Sequence, residues 1–384
     1  MSSLIQPLRR LALVAVSLCV WVPTVGAQEC PELIASMSLE GPPPRHIAVY
    51  EDYAYLRRWG WGVDFFAVVD VASPELPAAL WAGSGLCGRC YPGETYNLEA
   101  SGGVVFDLLH QCPPGLGHFL CVIDARLPES PVVLPADFTL HHFSLDSLAV
   151  SDGYLYVAGY PYLPDYPYNP EYVGFKVIDV LEPSFPVEVG SFHYLPESPP
   201  SHFDVDVAVS GNHAVMVAGT RLTVIDVAIP SSPIEVGFLE LPESGERVAV
   251  SGSHAYVVTR TGEWPDAEST LRVIDVSSPS SLVEVGSVAT QGKVVGFAVD
   301  SSSAYISTAG DLRVIDVRVP SSPVEVGFVA PPDQRFEDVT VSGRYVYAVG
   351  GDGSDPAGRL YVFDTRSRGC LYHEMPQERP LAIE

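Results

Sequence analysis

A single all-β disc, a seven-bladed β-propeller of four-stranded antiparallel blades, is the fold this sequence predicts, and three observations carry the prediction. A phrase ending in aspartate, as in "LTVIDV" from Leu222 and "LRVIDV" from Leu271 and Leu312, occurs seven times, with Asp70, Asp124, Asp179, Asp226, Asp275, Asp316 and Asp364 spaced 41 to 55 residues apart. A second phrase precedes each copy, as in "VAVSGNHAVMVAG" from Val207 and "VTVSGRYVYAVG" from Val339. Between them lie short β-branched and aromatic runs punctuated by Gly, Ser, Asn and Pro, with no helical period long enough to compete. A period of this length means a unit that buries its faces against copies of itself.

In chain order, residues 1–27 read as a secretory leader. Arg9 and Arg10 precede an apolar run from Leu11 to Val22, with small residues at Val25 and Ala27. The run falls short of the roughly 20 residues a spanning helix needs. Neither Leu18 before Cys19 nor Glu29 before Cys30 is the small residue that precedes a lipidated cysteine. The expected product is exported, being secreted, periplasmic or associated with a cell surface without a membrane anchor of its own. Residues 28–370 make the propeller and 371–384 a short tail.

One unit holds four strands: "VAVS", a tight turn, "AYVV", a loop, "RVIDV", a Pro-Ser turn, then "VEVGF". Several are apolar on both faces, which suits a blade packed between two neighbours. In the first six copies Pro follows the Asp at the fourth position, from Pro74 to Pro320. An Asp at a strand end before such a turn accepts hydrogen bonds from the turn's amides, and equivalent carboxylates spread around a ring cannot converge on one substrate. The last copy, "LYVFDTRSRGC", stops at Cys370 without its "PVEVG", and "CPELIASMSLEGPP" from Cys30 resembles the missing strand. The N-terminal segment is therefore expected to complete the last blade, with a Cys30–Cys370 disulfide beside it.

These "LRVIDV" and "PSSPVEVG" phrases resemble the LVIVD-repeat family, β-propellers of exported or surface proteins of bacteria and archaea. The resemblance covers nearly all of the chain after the leader, weakening at "FFAVVDVASPELPAAL" and "FLCVIDARLPESPVVL". It implies fold and export and carries no catalytic residues.

The formal net charge of −26 repels phosphate backbones and anionic lipid, which argues against nucleic acid and membrane insertion. With 47% of residues apolar, the chain has enough for a large core. Of seven cysteines, the six outside the leader suit disulfides in an oxidising compartment. Cys87 and Cys90 of "CGRC", with Cys112 and Cys121, are expected to form two further disulfides rather than a zinc site. Their pairing is open, Cys112–Cys121 with Cys87–Cys90 being the short-span arrangement.

Repeat-to-repeat length variation falls between strands two and three and between strand four and the next blade, connections that alternate strand direction places on one face. Variable loops on a rigid frame are where binding is placed. Trp59 and Trp61, then Tyr160, Tyr162, Tyr166 and Tyr168 interleaved with prolines, then Trp264, are the candidate binding residues. Rigid aromatic rings on stiffened backbone give contact area at low entropic cost. The expected partner is a protein or a glycan and the expected state a monomer. The alternative is a hydrolase or metal-dependent enzyme using His46, His141, His142, His202, Asp204 and Asp206 at the channel mouth. No HExxH, nucleophile elbow or phosphate-binding glycine loop accompanies these residues, so no cofactor, metal or catalytic residue is assigned.

Overall fold

We describe the protein from a computed structural model over residues 31–39, 41–60, 63–84, 86–87, 95–109, 118–135, 138–140, 143–161, 172–195, 205–262, 268–330, 334–352 and 357–365. Seven antiparallel sheets stand as blades around one axis. From the axis outward, blade 1 is His46–Tyr50, Tyr53–Gly60, Val63–Asp70 and Ala78–Gly83. Blade 3 is Phe143–Ser151, Tyr154–Pro161, Val173–Asp179 and Val187–Tyr194, and blade 4 is Val205–Ser210, His213–Ala218, Arg221–Asp226 and Ile234–Glu240. Blade 5 is Ser244–Ser251, His254–Thr261, Glu268–Asp275 and Val283–Thr290, and blade 6 is Val294–Val299, Ser303–Thr308, Leu312–Asp316 and Val324–Val329.

Two blades depart from this plan. Blade 2 has three full strands, Thr95–Ser101, Val104–Leu109 and His118–Asp124, but its fourth is split into Val132–Val133 and Thr139–Leu140, both paired to the third. Pro135 falls in the break, where a residue without an amide proton cannot continue the ladder. Blade 7 takes Gln334–Ser342, Tyr345–Asp352 and Gly358–Asp364 from the end of the chain and Glu32–Leu39 from its beginning. Glu32 lies opposite Asp364 and Leu39 opposite Gly358, so the predicted closure by the N-terminal strand is the observed one. The proposed partners Cys30 and Cys370 lie outside the described residues.

The core is a set of layers between neighbouring blades. Val215, Val217, Leu222 and Val224 of blade 4 pack on Val248, Ala255, Val257 and Ile274 of blade 5, and the other joints repeat the pattern. This is why the second strand of blade 4 reads HAVMVA and is buried at five consecutive positions: both of its faces meet another blade.

The repeated phrases have separate jobs within this frame. The phrase aspartate accepts from the amide two residues on, as in Ala72 to Asp70 at 2.9 Å, Ala228 to Asp226 at 2.8 Å and Arg318 to Asp316 at 2.9 Å, the turn role expected of it. The "VEVG" glutamate pairs with a basic residue of the third strand: Lys176 with Glu188, Arg221 with Glu235, Arg272 with Glu284, and Arg313 with Glu325. The "VEVG" glycine receives the next blade's Pro-Ser turn. A Cβ at Gly190, Gly237 or Gly286 would overlap the carbonyl oxygen of Pro230, Pro279 or Pro320 respectively.

Candidate functional site: the channel mouth and the loop face

Aligned on the end that reads Ala-Val-Ser in blades 3 to 5, the seven innermost strands place His46, Asn97, Ser147, Asp206, Arg247, Gly296 and Asp338 in one column. In five blades a register shift falls just before that column, between Thr95 and Asn97, Leu145 and Ser147, Gly245 and Arg247, Val294 and Gly296, and Phe336 and Asp338. An extra residue at such a point re-aims the side chain that follows it. The column lies near the start of each inner strand and therefore at the end of the channel that opens on the variable loops.

Its polar members tie neighbouring blades together. Asn97 of blade 2 donates from Nδ2 to Ser147 Oγ and to the Leu148 carbonyl of blade 3, both at 3.2 Å. Ser147 in turn donates to Asp206 of blade 4, whose second oxygen accepts the Val248 amide of blade 5 at 2.7 Å. Asp338 of blade 7 accepts the Ile47 amide of blade 1 at 3.1 Å and its own neighbour Val339 at 2.8 Å. Blade 6 has glycine in the column because a Cβ there would stand 2.7 Å from Asp338 Oδ1. Asp206 is thus held through both oxygens by neighbouring blades, and Asp338 through one oxygen by blade 1 and through the other by its own strand.

The inner strands enclose a channel of about 740 Å³ whose lining includes His46, Glu99, Asp146, Asp206, Arg247 and Asp338. Glu99 stands alone in its own column, which holds Ala48, Ala149, Ala208, Ala249, Ala298 and Thr340 in the other blades. Burial, followed by the nearby charges of Asp338 and Asp206, pushes its carboxyl up to about 8. Burial likewise pushes Asp338 up to about 7, against the opposing pull of the Ile47 and Val339 amides and Arg247. Asp206 is raised by burial, with Arg247, Ser147 and the amides of Val248 and Val207 drawing it back. The channel mouth therefore keeps protons near neutrality that exposed carboxyls would have lost.

Of the residues assigned to a channel-mouth site, His46 and Asp206 belong to this ring, His46 Nδ1 lying 3.9 Å from Asp338 Oδ2. His141, His142, His202 and Asp204 lie outside the described residues. Among the described residues no group of three or more His, Cys, Asp or Glu is arranged to hold a metal ion. Asn97, Ser147 and Glu99 were not singled out from sequence. For Glu99 the signal was available: "LEAS" breaks a column that reads Ala in five other repeats.

Among the binding candidates, Tyr160 is half-buried near the end of its strand opposite Ser144 and lines the channel. Trp59 lies near the end of a blade 1 strand with its backbone opposite Asp64. Trp61, Tyr162, Tyr166, Tyr168 and Trp264 lie outside the described residues. The expected division of the two faces is observed. First turns hold two residues in six blades and three, Asp300 to Ser302, in blade 6, whereas the opposite face carries second-to-third connections from 61–62 in blade 1 to 162–172 in blade 3.

The structure decides one cysteine pairing that the sequence left open. Cys87 pairs with Cys121 across 34 residues, which excludes both members of the short-span arrangement, Cys112–Cys121 and Cys87–Cys90. Both sulfurs sit in the apolar layer between blades 1 and 2, with Tyr55, Phe66, Val105 and Ile123. Folding thus brings the segment leaving blade 1 onto the third strand of blade 2. Cys90 and Cys112 lie outside the described residues.

The seven sheets, the inner channel and the closure by an N-terminal strand define a β-propeller. Segments 44–78, 144–163, 205–239, 244–290 and 291–330 match the LVIVD repeat model, and the chain belongs to that repeat family. No curated protein matches the chain. Among solved structures, a chain of the crystal structure of the mitotic checkpoint complex is similar at TM-score 0.59 and 11% identity, covering 93% of this chain and 99% of its own. The Myceliophteria thermophila Cps50 (Swd1) β-propeller domain matches at TM-score 0.54 and 10% identity over 87% of this chain and 99% of its own. Saccharomyces cerevisiae Sqt1 matches at TM-score 0.54 and 9% identity over 88% and 86%. At such identities the likeness is one of fold.

Proposed function

We propose that this chain is an exported, non-catalytic binding propeller that takes a protein or glycan partner on its variable-loop face. The observation that carries the reading is the asymmetry between faces: on one side the first turns hold two or three residues and the Pro-Ser turns a constant seven in blades 1 to 6, whereas the second-to-third connections on the other vary from 61–62 to 162–172. A rigid frame that varies on one side only is built to present that side. The loop sequences there supply Trp59, Trp61, Tyr162, Tyr166, Tyr168 and Trp264, and ring stacking suits a neutral glycan or a protein surface better than phosphate. Similar propellers include a chain of the mitotic checkpoint complex, which favours a protein partner. The commitment of Asp206 and Asp338 to blade-to-blade hydrogen bonds supports a structural ring over an acid–base pair. Among the described residues no helix is long and apolar enough to cross a membrane.

The test is a glycan and surface-protein screen of the purified full chain, followed by the Tyr166→Ala, Tyr168→Ala double variant. Binding is expected to weaken by about 1–3 kcal/mol with cooperative unfolding intact, as for interface aromatics. Loss of cooperative unfolding with undiminished binding overturns the aromatic assignment. Stoichiometric zinc, iron or copper in the native protein overturns the non-catalytic reading.

A further inference from the structure

The turn face, opposite the loops, carries a pattern that the fold does not require. In each blade the amide after the phrase aspartate donates to the carbonyl of the first turn, as in Val71 to Asp52 at 2.8 Å, Val180 to Gly153 at 2.9 Å and Val227 to Asn212 at 2.8 Å. The first turn and the Pro-Ser turn therefore form one continuous surface. Across blades 1 to 4 that surface exposes Leu76, Leu127, Leu181, Phe185 and Ile229 at 64% to 72% of their area.

Blade 5 is the internal control. It places Ser277, Ser278 and Ser281 at the positions of Leu181, Ile229 and Phe185, and still forms the same turn, with Val276 donating to Ser253 at 2.9 Å and Ser281 to Ser278 at 2.8 Å. The apolar side chains are thus not needed for the turn, and neighbouring blades set them side by side along an arc. Exposed apolar surface of this kind marks a contact.

The same arc is acidic. Turn residues 51–52, 70–77, 102–103, 124–131, 152–153, 179–186, 211–212 and 226–233 hold ten carboxylates and one cation, Arg126, which is bound to Asp124. The corresponding turns of blades 5 and 6, residues 252–253, 275–282, 300–302 and 316–323, hold three carboxylates and Arg318, bound to Asp316. Nine of the ten carboxylates lie on blades 1 to 3, beside Leu76, Leu127, Leu181 and Phe185, while blade 4 adds Asp226 and Ile229 and blade 6 exposes the smaller Val319. Such a surface repels anionic lipid and a second copy of itself, and complements cations interspersed with large apolar side chains.

We propose that the turn face of blades 1 to 4 is a second docking surface, which takes a basic amphipathic segment of a partner protein. Leu127, Leu181, Phe185 and Ile229 supply apolar contact and the surrounding carboxylates, among them Glu75, Glu129 and Glu182, supply attraction and orientation.

The test titrates the full chain with a fluorescein-labelled amphipathic peptide of alternating lysine and leucine and follows anisotropy at low and high salt. Any protein this acidic attracts cations, so the decisive variant keeps the charge: Leu127→Ser, Leu181→Ser, Phe185→Ser and Ile229→Ser combined. Affinity is expected to fall by roughly tenfold or more, the loss typical of removing interface anchors, with the melting temperature unchanged. Phe185→Ser alone, which installs the residue that blades 2, 4, 5 and 6 carry as Ser130, Ser232, Ser281 and Ser322, gives a smaller loss in the same direction and guards against misfolding of the quadruple variant. Val319→Ser in blade 6 and the Tyr166→Ala, Tyr168→Ala pair are expected to bind the peptide as the native chain does, which separates this face from the loop face. Equal affinity of native and serine variants overturns the proposal. So does co-sedimentation with phosphatidylcholine vesicles, or a concentration-dependent dimer, if either is lost in the serine variants.

Discussion

The joint between blades 4 and 5 and the joint between blades 1 and 2 do the same job by different means. At the first, Gly237 of one blade lies against the Pro279 carbonyl of the next, and a column of aliphatic side chains fills the layer behind. At the second, the column that holds glycine in blades 3 to 5 holds Trp81, which packs 6.0 Å from Phe66. Behind it Arg57 donates from Nε to Asp107 at 2.6 Å with both side chains fully buried, and the Cys87–Cys121 bridge crosses the same layer. Where the repeat phrase is kept, backbone fit and apolar burial suffice. Where it has drifted, a buried ion pair and a covalent bridge stand in their place. The connections of these drifted blades are long, at 84–94 and 110–117, and so are those of blade 3, at 162–172 and 195–204.

The comparison can be broken most severely at the ion pair. Asp107→Ala removes the carboxylate to which the buried Arg57 donates and is expected to cost about 3–5 kcal/mol, measured by denaturant unfolding, because a charge is left in an apolar layer. Arg57→Met with Asp107→Leu should recover most of that loss, since the two columns hold apolar residues in most other blades. Failure of the double variant to recover would show that the pair, rather than its volume, sets the joint.

Cys87→Ser should cost about 3–4 kcal/mol by releasing a loop of 34 residues, and reduction of the native protein should cost a similar amount. Gly237→Ala at the regular joint is expected to cost about 2–3 kcal/mol, as for overpacking against backbone that cannot move aside. The equivalent column in blade 1 already accepts Trp81, so Trp81→Phe should cost less than Gly237→Ala.

The smallest expected effect is a gain. Glu99 keeps its proton in the folded protein to about 8 and Asp338 to about 7, well above unfolded carboxyls. The folded chain therefore binds more protons across this range, and stability falls as pH rises from mild acid through neutrality. Glu99→Ala should flatten that fall and raise stability by roughly 1–2 kcal/mol near pH 8, with a smaller gain near pH 5. Thermal unfolding across this range checks it, and an unchanged pH profile would place the proton uptake on Asp338 and Asp206 instead.

The sequence by itself determined the blade count, the four-strand unit, the turn role of the first six phrase aspartates and the closing strand, because each is repeated or short-range. A tight turn and its acceptor aspartate lie within one unit, so the pattern of one copy states the geometry of all. The tertiary structure alone decided which side chains meet across the axis and between blades. Asp338 reaches Ile47 across 291 residues of chain, Arg57 reaches Asp107 across 50, and Cys87 finds Cys121 rather than a nearer cysteine. Glu99 was visible as an anomaly in its column, but its company of Asp206 and Asp338 was not. The physical reason is that a repeat constrains the contacts inside a unit, whereas contacts around a closed ring depend on how all the units turn about one axis, which no single copy encodes.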